Sequence, residues 1–234
     1  MTLPRGARSI MASRREPPTS LDFFPTPPWA TRAFVEFVLT PALGGDHEPA
    51  DLIGRDPCCG EGHMVETLKE NLCSCQGSDV FDYGRGYEVL DALEPQAFGR
   101  RCDLVAMNPP YNIAQKLVTA ALEAGEFGEL FWVFALVRSA WLEGETRFEQ
   151  LFSKSPPDIY APYVERVPMF RGRYDPKGRG ATAYSWIGWT GGRRGYLAKP
   201  VTFIPPCRKR LETIEDIRRW CPPADAPLFE GVGA

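Results

Sequence analysis

The stretch Asp103–Asn112, DLVAMNPPYN, decides how this chain is read. An apolar run, Leu104 to Met107, ends abruptly in an amide, two prolines and a phenol. Such a run, bounded by turn residues, reads as a short strand. Pro109 and Pro110 push the residues before them out of the helical region and stiffen the turn. Their nitrogens donate nothing, so nearby carbonyls stay open as acceptors. Asn108 adds a side-chain carbonyl, and Tyr111 adds a flat ring with a polar edge. Two acceptors beside a stacking ring suit a planar group that bears an exocyclic NH2. The bland alternative is a structural Pro-Pro turn over a buried tyrosine.

Around this stretch strands and helices alternate. FFPTPPWATRAFVEFVL, from Phe23, places Thr26 as a helix N-cap and Pro27 at the first helical position. Trp29, Ala33, Phe34, Phe37 and Val38 then share one helical stripe. DLIGRDPCCGEG, from Asp51, reads as a strand entering a glycine-containing turn, and HMVETLKENL after it as a helix. CSCQGSDVF is a second strand, and AQKLVTAALEAG a helix that stops at Gly125. ELFWVFALV, Glu129 to Val137, is an unbroken apolar run of the kind found in central strands buried on both faces. Later strand candidates are YVERVPMF, AYSWIGWT and VTFIPP, with little helix between them. The pattern predicts an α/β fold: a doubly wound, mostly parallel sheet with an antiparallel hairpin at one edge.

Composition fits one large domain of 234 residues. Residues 1–20 read as a flexible basic arm, 21–219 as a single domain, and 220–234 as a Pro-rich tail. No apolar stretch approaches the roughly 20 residues that span a bilayer. The basic N-terminus lacks a signal-peptide core, so a soluble cytoplasmic protein with no membrane partner is expected. Seven cysteines and two histidines give no disulfide or zinc spacing, so no metal is expected. The net charge of −3 hides a split: eleven basic residues face one acid, Asp175, between Arg166 and Arg210, leaving that block at +10 and the remainder at −13. A block so polarised predicts a face that meets a polyanion. Within it the loop MFRGRYDPKGRGA, Met169 to Ala181, holds Arg171, Arg173, Lys177 and Arg179 as phosphate contacts, with Phe170 and Tyr174 as wedge candidates.

Two further motifs lie at expected strand ends. In DPCCGEG, Gly60 and Gly62 let backbone approach a ligand closely, although Arg55 interrupts the strand before Asp56. In GSDVFDYG, Asp79 is placed to take both hydroxyls of a ribose; Asp82 competes for that role. Asp91, in VLDAL, is another acid at a strand end. Each acid reads equally as a cap or a solvated turn.

NPPY on the fourth strand, DPCCGEG before it and FFPTP at the start together resemble the S-adenosylmethionine-dependent N6-adenine amino-methyltransferases. RSAWLEG, ERVPMFRGR and ATAYSWIGW resemble most the small phage- or prophage-associated DNA adenine methyltransferases, and the resemblance runs from about Leu21 to Pro206. It implies a seven-stranded class I methyltransferase-like sheet, S-adenosylmethionine as cofactor and DNA as partner, either a duplex with the base flipped out or a single strand. By the same resemblance Asp56, Pro57, Cys58, Gly60 and Gly62 line the methionine end of the cofactor, Asp79 holds its ribose and Asp91 its adenine amine. Phe24 and Thr26 close the pocket. Asn108 and the Pro109 carbonyl accept the target amine's hydrogens, Pro110 stiffens the turn, and Tyr111 stacks on the base. Asn108 also borders the cofactor. Tyr184, Trp186 and Trp189 fall on an alternating strand and read better as core than as base contacts. No inserted recognition domain of roughly a hundred residues is evident, so specificity rests on short loops, a dimer or a partner. Adenine in RNA, a protein glutamine, or a non-catalytic nucleic-acid-binding subunit of the same fold are the competing readings.

Overall fold

A computed structural model describes residues 22–45, 47–98, 102–125, 132–190 and 199–221. The basic arm, residues 222–234 of the Pro-rich tail, Glu129 to Phe131 of the long apolar run, and Arg193 and Arg194 of the basic block lie outside the described residues.

Seven strands form one sheet: β1 (Ile53–Asp56), β2 (Ser74–Asp79), β3 (Glu88–Val89), β4 (Leu104–Met107), β5 (Trp132–Arg138), β6 (Ile159–Pro162) and β7 (Tyr184–Trp189). Their spatial order is β3-β2-β1-β4-β5-β7-β6. The first five run parallel; β7 is antiparallel to β5, and β6 to β7. The expected fold class, a doubly wound and mostly parallel seven-stranded sheet with an antiparallel edge, is therefore the observed one.

Every residue of β4 is buried, as is β5 from Trp132 to Val137. Side chains alternate between faces along a strand. Leu104, Ala106, Phe134 and Leu136 accordingly join one core, and Val105, Met107, Val133, Ala135 and Val137 the other. Helix α1 (Pro28–Phe34) and α2 (His63–Leu68) cover the first face; α3 (Ala114–Ala124) covers the second. Trp186 stacks on Phe34 at 4.2 Å, and its indole N–H donates to the Tyr163 hydroxyl at 2.8 Å. That hydroxyl donates to the Ala30 carbonyl at 2.6 Å, so these two aromatics satisfy their polar atoms inside the core, whereas the Trp29 and Trp132 indole N–H groups and the Tyr184 hydroxyl are buried without a partner among the described residues. Tyr184, Trp186 and Trp189 are all core residues.

Several local readings need correction. Helix α1 starts one residue later than expected: Pro27 is the N-cap, and buried Thr26 turns its hydroxyl to Asn108 instead. α2 ends at Leu68, although Leu72 still packs in the core. YVERVPMF and VTFIPP are not strands; the edge strand is β6, just before Tyr163. Val201 and Ile204 run beside it as isolated parallel bridges to Tyr160 and Tyr163, with backbone hydrogen bonds such as Thr202 N–H to the Tyr160 carbonyl and Ile204 N–H to the Pro162 carbonyl, both 3.0 Å; the prolines on both segments interrupt a continuous ladder. Arg55, which breaks the apolar pattern, stays within β1 and is buried. Its guanidinium reaches Gln76 at 3.1 Å, Ser78 at 3.4 Å and Glu88 at 3.4 Å on β2 and β3. Trp220, read as the first tail residue, closes helix α4 (Ile214–Trp220) and stacks on His63 at 3.9 Å. All seven cysteines are free thiols. No helix among the described residues is long and apolar enough to cross a membrane.

Among the described residues, helix α4 is fastened by two ion pairs, Arg219 to Glu66 at 2.6 Å and Asp216 to Arg32. Arg32 on α1 donates to both carboxylate oxygens of Asp216 at 2.6 and 2.8 Å, and to Glu70. Burial works against ionisation of Asp216, but the Arg32 hydrogen bonds and the Thr213 N–H prevail and hold its carboxyl below the usual range. We expect Asp216→Asn to cost about 1–3 kcal/mol in urea unfolding at neutral pH, since it leaves a largely buried guanidinium short of its partner. A depressed carboxyl stabilises the fold above its unfolded pKa and loses that contribution as pH falls through the folded one. The gap between wild type and variant therefore closes below the ordinary value of 3.8.

Candidate active site

Strand order reverses between β1 and β4, because β1 is followed in space by β2 on one side and β4 on the other. In open α/β sheets that reversal opens a crevice at the carboxyl ends of the strands. Here the crevice is lined by Phe24, Pro57, Cys58, Asp79, Asp91, Asn108 and Pro110 from the sequence reading. Asp22, Phe23, Val80, Tyr83, Ala92, Leu93, Ile113 and Leu117 complete it.

The turn after β4 behaves as its proline content dictates. The Asn108 side-chain amide donates to the Phe24 carbonyl at 2.7 Å and the Thr26 hydroxyl at 3.1 Å, with the Met169 sulfur at 3.7 Å. These contacts commit Nδ2 and leave Oδ1 without a donor among the described residues. The Asn108 backbone carbonyl accepts weakly from the Cys58 thiol at 3.7 Å. The Pro110 carbonyl accepts the Ile113 N–H at 3.1 Å, whereas the Pro109 carbonyl receives no backbone donor among the described residues. Two oxygens, Oδ1 of Asn108 and the Pro109 carbonyl, are thus left as acceptors at one turn.

Tyr111 is held from three sides. Its N–H donates to Asp22 at 2.6 Å and its hydroxyl approaches the Met169 sulfur at 3.9 Å. The Arg138 guanidinium lies over the ring, 4.4 Å from the centroid, while Phe24 and Tyr184 flank it at 5.9 and 6.3 Å. Burial pushes its phenol well up, so it stays neutral.

At the other end of the crevice, Asp79 terminates β2 as the sequence suggested. One carboxylate oxygen accepts the Gly60 N–H at 2.8 Å, the other the Phe81 N–H at 3.1 Å. Burial raises its pKa; those backbone donors pull it back. Asp82, its competitor, caps an exposed turn by accepting the Gly84 N–H. Asp91 lies two residues past β3 rather than at its last residue, accepting from the Leu93 N–H at 2.9 Å. Val80 and Leu93 add exposed apolar surface beside these acids.

The remaining expected site residues support the crevice from behind. Asp56 is buried and accepts the Cys58 N–H at 3.2 Å. Burial pushes its carboxyl up to about 7. The Cys58 thiol is raised well above its ordinary value, chiefly by burial, so it is no thiolate nucleophile. Gly60 and Gly62 have φ of +55° and +90°; a Cβ on Gly60 would meet the Phe23 ring at 2.3 Å, and one on Gly62 the Tyr87 hydroxyl at 2.0 Å. Gly62 therefore serves the start of α2. Buried His63, lowered to about 3 by burial and by Arg85 and Arg219, is no base at neutral pH.

The basic loop reaches the same turn. Met169 touches both Asn108 and Tyr111, and the Gly172 N–H donates to the Phe23 carbonyl at 2.8 Å. Arg171, Arg173, Lys177 and Arg179 are exposed along it. Tyr174 is buried against Glu212 and is no wedge. Sequence reasoning missed Asp22, Phe23, Met169 and Arg138. Asp22 and Phe23 adjoin the FFPTP segment and were within reach; Met169 and Arg138 come from distant chain positions, and only the β4-β5-β7 pairing brings them here.

No family model matches the chain, and no curated protein matches it. Among solved structures, it is similar to a protein provisionally described as a class I S-adenosylmethionine-dependent methyltransferase from Listeria monocytogenes, with 13% identity and TM-score 0.47 over 77% of this chain and 65% of that one. It is also similar to a modification subunit provisionally assigned to a type I restriction enzyme from Vibrio vulnificus, with 16% identity and TM-score 0.47 over 76% and 45%. A protein provisionally described as an RNA methyltransferase from Pyrococcus horikoshii shows 19% identity and TM-score 0.49 over 75% and 90%. The chain thus spans under two thirds of the length of the first two.

Asp56 gives a pH test of this geometry. Folded, it keeps its proton from the ordinary 3.8 up to about 7; unfolded, it loses it at the lower value. The folded chain binds the extra proton in that window, so this group makes stability fall as pH rises through it, by at most about 1.4 kcal/mol per pH unit. Urea midpoints of Asp56→Asn should lack this component of the decline.

Proposed function

We propose that this chain transfers a methyl group from S-adenosylmethionine to the exocyclic N6 amine of adenine in DNA. The observation that carries the reading is the turn after β4, where Asn108 Oδ1 and the Pro109 carbonyl are both left as acceptors beside the Tyr111 ring. The adjoining crevice suits the cofactor by its chemistry. Asp79 and Asp91 are carboxylates for a diol and an amine, and Val80, Leu93 and Phe24 are apolar surfaces for a planar base. S-adenosylmethionine supplies an electrophilic methyl on a sulfonium when bound.

The protein's part follows from physical chemistry. Adenine's exocyclic lone pair is conjugated with the ring and is a poor nucleophile. Asn108 Oδ1 and the Pro109 carbonyl accept its two hydrogens, draw them out of the ring plane and localise the lone pair. Both acceptors are fixed before reaction, so they stabilise positive charge where it develops on nitrogen. Tyr111 positions the base. No enzyme nucleophile is required, in keeping with a protonated Cys58 thiol and a buried His63. A base in a duplex must be flipped out to reach the crevice. The exposed cations from Arg171 to Arg179 would hold the backbone.

The test is transfer of tritiated methyl to duplex DNA, single-stranded DNA, RNA and protein in parallel. We expect label in DNA, at the N6 position of adenine on digestion. Asn108→Ala should lower the rate by about 10²–10³, the loss typical for removing one preorganised transition-state hydrogen bond. Label confined to RNA or to protein would overturn the DNA reading.

A further inference from the structure

Arg138 has a role that the acceptor turn alone does not supply. It ends β5, and the β4–β5 register aligns Met107 with Ala135, so Arg138 stands level with the Pro110 turn. Its guanidinium carbon sits over Tyr111, 4.4 Å from the ring centroid. No carboxylate among the described residues pairs with it, and its buried Nε has no hydrogen-bond partner. The other partly buried arginines give guanidinium N–H groups to oxygens of the protein; Arg147, which also lies over an aromatic ring, donates to the Trp141 and Glu143 carbonyls. Arg32 meets Asp216 and Glu70, Arg55 meets Glu88, and Arg208 meets Glu212. A half-buried guanidinium left open is costly unless an anion completes it. Stacking on an aromatic face leaves the N–H edge free, and that edge matches a phosphate in two parallel hydrogen bonds.

We propose that Arg138 binds the backbone phosphate of the nucleotide being methylated. This rests on the adenine reading above and names the feature that makes the substrate a nucleotide rather than a free amide. Two observations converge on it. Tyr111, the ring for the base, is the very ring that Arg138 covers. The exposed cations of the basic loop start at Met169, whose sulfur touches Tyr111 and Asn108, so Arg138 extends that track of positive charge into the acceptor turn.

The experiment compares wild type, Arg138→Gln and Arg138→Lys on mixed-sequence duplex DNA. Tritium transfer and equilibrium binding are followed across a salt series, with cofactor affinity by calorimetry and melting temperature as controls on the fold. One phosphate contact contributes about 0.9 to the slope of log affinity against log salt. Arg138→Gln should reduce the slope by about that amount and weaken DNA binding about tenfold, as loss of a charge-assisted contact does. Cofactor affinity should be unchanged. Arg138→Lys should restore the slope, because a point charge still holds a phosphate. If Arg138→Gln slows transfer but keeps the wild-type slope, Arg138 only props Tyr111; this proposal then fails while the adenine reading stands. If wild type labels protein and no nucleic acid, both fall. A variant that loses cofactor affinity or melts early is replaced in the comparison by Arg138→Lys against Arg138→Met.

Discussion

Asn108 gives up its amide N–H groups to the protein so that its carbonyl can face outward. The Phe24 carbonyl and the Thr26 hydroxyl take those protons, so one side chain joins the end of β4 to the segment before α1. The constraint acts in both directions. Without the FFPTP segment the amide is free to flip and present a donor where an acceptor is needed. Without Asn108, buried Thr26 and the Phe24 carbonyl each lose a donor. The prolines on both strands of this junction remove the backbone donors that would otherwise compete for the same oxygens.

The sheet supplies the rest by topology. β1, β4 and β5 lie side by side, so three carboxyl ends that are far apart in the chain emerge along one edge of the sheet. Asp56 follows from β1, Asn108 from β4 and Arg138 from β5. The same arrangement explains a buried aspartate near neutrality: burial raises the Asp56 carboxyl, the Cys58 N–H and nearby Asp79 act on it in opposite directions, and no cation lowers it.

Much of this was legible in the chain. The apolar runs at β4 and β5 and the turn chemistry between strands predict a parallel, doubly covered sheet, because no other arrangement buries both faces of LVAM and WVFALV. NPPY was readable because proline has only one backbone geometry to offer. The failures have the opposite cause. YVERVPMF looked like a strand by composition, yet its prolines and charges leave the edge to the shorter IYAP beside it. Thr26 looked like a cap because caps are local, whereas its hydroxyl answers a residue 82 positions away. Gly62, expected at the methionine end of the cofactor, has a second reason to be glycine in its φ and in the Tyr87 ring that a Cβ would strike. Local chemistry predicts turns; it does not say which distant group will claim a side chain.

The charge split of the chain acquires a meaning on the sheet. The acids Asp56, Asp79 and Asp91 gather at the ends of β1 to β3. The exposed cations gather in the connection between β6 and β7, on the far side of β4. The acceptor turn lies between the two. An acidic half suits a cationic cofactor and a basic half suits a polyanion, and each would repel the other's ligand. On the proposed function, a neutral pair of acceptors at the boundary would let a cationic electrophile and a base on an anionic backbone meet without either crossing a region of its own sign. A net charge near zero would conceal such a division in any chain; here it is the division, not the net value, that bears on function.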